Sequence, residues 1–112
     1  MADFSVTHES KGDVTVVTIN GRVDSVTAAR LDTELGDVLR ESKKIVLDMK
    51  SVEYLSSAGV RAIMKVAQST QKSGGGVKLA SLSSNVNEVL ENVGLTQFVK
   101  TFAAVDEAVA SF

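Results

Sequence analysis

The sequence predicts an α/β fold: a mixed sheet of four to five strands, about four helices, and an antiparallel hairpin at the N-terminal end. Three observations predict it. Strand-like runs alternate along the chain with apolar stripes at helical spacing. The first two strand patterns are separated only by the turn-forming Lys11-Gly12-Asp13. A short, almost wholly apolar run, Ile45 to Met49, sits mid-chain, as a central strand covered on its faces requires.

Taken in order, Phe4 to Glu9 alternates Phe4, Val6 and His8 with Ser5, Thr7 and Glu9, the pattern of a strand with a polar side. Val14 to Ile19 is β-branched throughout and suits a more buried strand. Asn20-Gly21 is a turn or a bulge, because both residues tolerate positive φ. A helix follows with Ala28, Leu31, Leu35, Val38 and Leu39 on one side and Arg30, Glu34, Asp37 and Glu41 on the other. Asp24 or Ser25 is its expected cap. After the Ile45–Met49 strand comes a helix ending near Ser73, and Gly74-Gly75-Gly76 forms a flexible connection. Val77 to Leu82 is the next strand. Ser83 or Ser84 caps a third helix carrying Val86, Val89, Leu90 and Val93, and Gly94 stops it. Phe98 to Phe102 reads as a short final strand. Val105, Ala108, Val109 and Phe112 make the stripe of a last helix, with Asp106 and Glu107 in its first turn. Strands alternating with helices imply parallel neighbours joined by right-handed crossovers.

The 112 residues are taken as one domain, 1–112, without internal repeat or linker. A net charge of −2, scattered lysines and few aromatics argue against a nucleic-acid binder. No apolar run approaches the roughly 20 residues that cross a bilayer, and the first residues carry no secretion signal. With no cysteine there are no disulfides or thiolate metal sites; dispersed carboxylates and the single His8 leave no metal site expected.

The chain is organised around Val52 to Lys65: the end of a buried strand, a tight turn, and an amphipathic helix with Val60, Ile63, Met64 and Ala67 on one side. Ser56 and Ser57 stand at the helix start, where a serine oxygen can accept a bond from a free backbone N–H. The flanking residues do not form the GxSxG elbow of a serine hydrolase, and no base is expected nearby, so no catalysis or cofactor is expected. A receiver domain would need paired aspartates after the first strand, and none are there. The glycines at 74–76 follow a helix and precede a strand, the reverse of a phosphate cradle. Two readings of the serines stay open on residue types alone. They cap a helix, or one of them also accepts a phosphoryl group, which the helix N-terminus would stabilise.

Nearly the whole chain resembles the anti-sigma-factor antagonist family, whose fold is the STAS domain. The landmarks are Asn20-Gly21-Arg22-Val23-Asp24-Ser25-Val26-Thr27-Ala28, the strand IVLDM followed by Val52-Glu53-Tyr54-Leu55, and Ser56-Ser57-Ala58-Gly59-Val60-Arg61. Val77-Lys78-Leu79 and Val93-Gly94-Leu95 complete them. The resemblance implies a cytoplasmic, non-enzymatic regulator in a partner switch. The unmodified protein binds an anti-sigma factor that is also a serine kinase, phosphorylation releases it, and a PP2C-type phosphatase resets the cycle. Aligned on Gly59, the family's acceptor serine falls on Ser57, with Ser56 as the alternative. The resemblance places Asp24, Ser56, Ser57, Ala58, Gly59 and Arg61 at the partner-binding surface. Ser56 stands where the family carries an aspartate, and Arg61 interrupts a run that is usually small or apolar. The resemblance also admits an unphosphorylated scaffold, or an output other than a sigma factor such as secretion. A nucleotide-binding module is a third reading, for which no phosphate-cradling loop is visible.

Overall fold

The computed structural model describes residues 4–112. The elements run β1 (Ser5–Lys11), β2 (Val14–Val23), α1 (Thr27–Leu39), β3 (Lys44–Leu55), α2 (Ser57–Lys72), β4 (Gly76–Ala80), α3 (Ser84–Asn92), a 3-10 turn (Leu95–Gln97), β5 (Thr101–Phe102) and α4 (Val105–Ala110). The sheet has five strands in the order β1-β2-β3-β4-β5. β1 pairs antiparallel with β2, and the remaining pairs are parallel.

The side on which each helix packs follows from this order. Each parallel step moves one strand further in the same direction, so right-handed crossovers put α1, α2 and α3 on one face. Leu31, Leu35, Ile63, Val66, Val86 and Leu90 meet Val17, Ile19, Leu47 and Leu79 there. The opposite face, with Val14, Val16, Val46 and Ala80, is covered by Ala108 of α4 and by Phe102, Val105, Val109 and Phe112. Ile45, Val46, Leu47 and Met49 of β3 are fully buried, as the apolar run requires of a strand covered on both faces. His8 lies exposed on β1.

Several boundaries differ from the sequence reading. β2 does not stop at Ile19. It continues to Val23 with Asn20-Gly21 inside the strand rather than at a turn, and at the register shifts between Thr18 and Asn20 and between Gly21 and Arg22 the extra residues lie on the partner strand β3. Gly21 supplies the positive φ of 93° that this irregularity needs. β3 runs unbroken from Lys44 to Leu55, because its polar half pairs with the extended end of β2. β4 ends at Ala80, since Ser81 adopts a φ of 61°. β5 is reduced to Thr101–Phe102, because the 3-10 turn takes up the chain before it.

Candidate functional site

β2 and β3 are parallel and end side by side, with Val23 opposite Leu55. Each strand is followed almost at once by a helix. Two helix N-termini therefore emerge at one edge of the sheet, outside the carboxyl ends of its strands, where open α/β sheets commonly bind partners or ligands. The Ser56 N–H donates to the Val23 carbonyl at 2.8 Å and ties the two ends together.

The start of α1 is fixed by Asp24. Its carboxylate accepts from the N–H groups of Val26 and Thr27, both at 2.9 Å. Thr27 replies: its hydroxyl accepts from the Asp24 N–H at 2.9 Å and donates to the Arg22 carbonyl at 2.7 Å. This reciprocal arrangement is a capping box with threonine in the third position. The N–H of Thr27, then that of Val26, holds the Asp24 carboxyl below the usual carboxylate range. Of the two candidate caps, Asp24 is the one engaged.

The start of α2 is fixed by Ser56. Its half-buried hydroxyl accepts from the Gly59 N–H at 3.3 Å, and its carbonyl accepts from the Val60 N–H at 3.0 Å. Those two donors are thereby occupied, while the N–H groups of Ser57 and Ala58 remain at the positive end of the helix. Ser57 is exposed in the first turn. Gly59 is buried, and a Cβ there would lie 2.6 Å from Val23 and 2.7 Å from Leu55, so only glycine lets α2 approach this closely.

Ala58 and Arg61 turn toward α1 and line a shallow groove with Ser25, Ala28, Asp32 and Lys65. Lys65 pairs with Asp32 across it at 3.3 Å. The structure thus gathers the sequence-derived residues at one edge but divides their roles. Asp24 and Ser56 hold the helix starts, Gly59 sits beneath them, and Ser57, Ala58 and Arg61 reach the surface or the groove.

Two features of this edge escaped the sequence reading. Val26 is 75% exposed immediately before α1. The Arg22 guanidinium stacks 4.6 Å above the ring of Tyr54, its partner across β2 and β3. Strict alternation would put Tyr54 on the side of the buried Val52; the register shift that leaves Glu53 unpaired turns it outward, opposite Arg22. Together they offer apolar and planar cationic contact area around the helix starts, the chemistry typical of protein interfaces.

Comparison with known proteins bears on the family and the fold. The STAS domain family model matches residues 5–108. Among relatives, BtrV of Bordetella bronchiseptica, named as an anti-sigma factor antagonist, is 31% identical over 98 residues, covering 87% of this chain and 84% of its own. The anti-sigma-F factor antagonist RsfB of Mycobacterium tuberculosis is 28% identical over 108 residues, covering 94% of this chain and 86% of its own. Among solved structures, unphosphorylated SpoIIAA, an anti-sigma factor antagonist, superposes with a TM-score of 0.81 at 16% identity, over 96% of this chain and 95% of its own. The chain belongs to the STAS domain family.

Proposed function

We propose that this protein is an anti-sigma-factor antagonist working by partner switching. Its unphosphorylated form sequesters an anti-sigma factor that is also a serine kinase, phosphorylation of Ser57 releases it, and a PP2C-type phosphatase restores the binding form in the cytoplasm. One observation carries this reading: of the two adjacent serines, Ser56 is half-buried with its oxygen bonded to the Gly59 N–H, while Ser57 stands exposed at the mouth of α2. The names of BtrV and RsfB support the general role, and SpoIIAA is known in a phosphorylated form.

The chemistry is binding rather than catalysis. A phosphate on Ser57 adds about −1.5 to −2 charges at a helix N-terminus, where backbone N–H groups and the helix dipole stabilise it. The domain therefore has no reason to unfold. The docked partner meets a different situation, because the new charge must lose water against its surface. One poorly paired charge there costs about 2–3 kcal/mol, and ~1.4 kcal/mol is already tenfold in affinity. Serine at position 56 keeps the capping oxygen that the family's aspartate supplies and removes its charge, since both residue types cap helices well.

The test uses the purified kinase partner. Ser57→Asp should weaken binding about tenfold or more while the fold persists by circular dichroism. Ser57→Ala should bind and resist phosphorylation. Full phosphorylation of Ser57→Ala removes Ser57 as the acceptor. A second reading, an unphosphorylated scaffold or a regulator of a non-sigma output such as secretion, draws on Ser56 standing in the aspartate's place. Absence of phosphoserine in protein isolated from cells under every growth condition would select it.

A further inference from the structure

The cations around the two helix starts are not alike. Lys65 pairs with Asp32 at 3.3 Å. The Arg22 guanidinium stacks 4.6 Å above the ring of Tyr54. Arg61 is exposed and, among the described residues, has neither an ion pair nor an aromatic ring beneath it. The carboxylates nearest in the chain are already engaged. Asp24 accepts from the Val26 and Thr27 N–H groups, and Asp32 is held by Lys65. An anion for Arg61 therefore has to come from outside the unmodified chain.

The groove that Arg61 lines is walled by Ala28, Ala29, Ala58 and Ala62. With Lys65 offset by Asp32, it carries one uncompensated positive charge. Small walls let a docked chain approach closely, and an ion pair made there loses water and gains strength. Ser57 stands one turn before Arg61, about 6 Å along the helix, where side chains four residues apart reach each other. The same guanidinium is thus within reach of a docked partner and of a phosphate on Ser57. Its single charge compensates one anion, not both.

We propose that Arg61 is an exchange ligand: in the unmodified protein it pairs with a carboxylate of the docked kinase, and a phosphate on Ser57 takes it over. This rests on the partner-switching reading and names the partner group that the modification displaces. A carboxylate is what the partner's own chemistry supplies, because a protein kinase holds one against the hydroxyl it phosphorylates, to orient it and accept its proton. The phosphate prevails because it is tethered to the same helix, at an effective concentration in the millimolar range, and carries about −1.5 to −2 charges on three acceptor oxygens. Release then has two parts. The partner carboxylate loses its cation, and it is left facing a second anion.

The experiment measures binding of the same purified kinase partner, with and without an ATP analogue, to the parent, Arg61→Gln and Lys72→Gln. Each is prepared with serine and with phosphoserine at position 57, the latter inserted during synthesis. Arg61→Gln should weaken binding of the serine form at least about fivefold without nucleotide. Lys72→Gln removes an equal charge from the last turn of α2 and should stay within about twofold of the parent. Phosphoserine should cost at least about threefold less affinity in Arg61→Gln than in the parent, because the pair it would displace is already gone. The proposal is overturned if Arg61→Gln binds as the parent does, if Lys72→Gln weakens binding equally, or if phosphoserine costs the same in both backgrounds. It is also overturned if Arg61 matters only with the ATP analogue bound, which would assign it to the nucleotide phosphates. Phosphoserine without effect on the parent is a different failure: it removes the partner switch itself, and the exchange with it.

Discussion

A Cβ on Gly59 would sit 2.6 Å from Cγ1 of Val23. The contact joins the first turn of α2 to the last residue of β2, two residues along the helix from the exposed Ser57. Gly59→Ala gains helix propensity but forces Val23 and Leu55 to move. The clash should win, destabilising the protein by about 1–3 kcal/mol in urea denaturation. Val23→Ala in the same chain should recover part of that loss, because the two sites share one contact. Equal stability of Gly59→Ala and the parent would show that the helix start has room to shift.

The two serines should separate cleanly in stability. Ser56→Ala removes the oxygen that accepts from the Gly59 N–H and should cost about 0.5–2 kcal/mol. Ser57→Ala alters an exposed position and should stay within about 0.5 kcal/mol of the parent. The reverse order, measured under the same denaturant conditions, would contradict the assignment of Ser56 as the cap.

Asp24 ties stability to pH. Its folded-state pKa is lowered, chiefly by the Thr27 and Val26 N–H groups, so its charged form is favoured by folding. The contribution is fully present above the unfolded value of about 3.9 and is lost as pH falls through the folded value. Asn keeps a capping oxygen without the charge. Asp24→Asn should therefore melt below the parent at pH 7, and the gap should close in acid. A gap that stays constant between neutral and acid pH would mean that the carboxylate charge contributes nothing.

Arg61 lies four residues beyond Ser57 on the same helix, where side chains meet across one turn. A phosphate on Ser57 should draw this guanidinium toward it, which favours the dianion. Phosphorus NMR of the phosphorylated protein should show the second phosphate ionisation, ordinarily near pKa ~6, lower in the parent than in Arg61→Ala. Coincident titrations would place Arg61 outside the phosphate's reach and leave it to the groove alone.

The periodic elements were legible because the core dictates them. Val60, Ile63 and Ala67 announce α2, and the run Ile45–Met49 announces a strand buried on both faces. Boundaries were less legible where partners decide them. Lys50 and Ser51 look like the end of a strand, yet β3 continues because the extended end of β2 is there to pair with it. Phe98 and Val99 look like strand residues, yet Gly94, at a φ of 77°, leads the chain into the 3-10 turn, and Phe98 ends that turn outside the sheet. At the site, the serines and Asp24 stand out because capping is a local affair of neighbouring residues. The stacking of Arg22 on Tyr54 does not, because it joins residues far apart in the chain through a register that no single stretch contains.

The strands take their places in the sheet in the order in which they are synthesised. Each new strand leaving the ribosome finds its neighbour already in place, so the sheet can be extended one edge at a time without threading between existing pairs. Of the described elements, α4, which helps to seal the second face, is the last in chain order. Until it arrives, Val14, Val16 and Val46 stay open to water, so the nascent protein passes through a half-covered stage whose sticky side chaperones would be expected to shield.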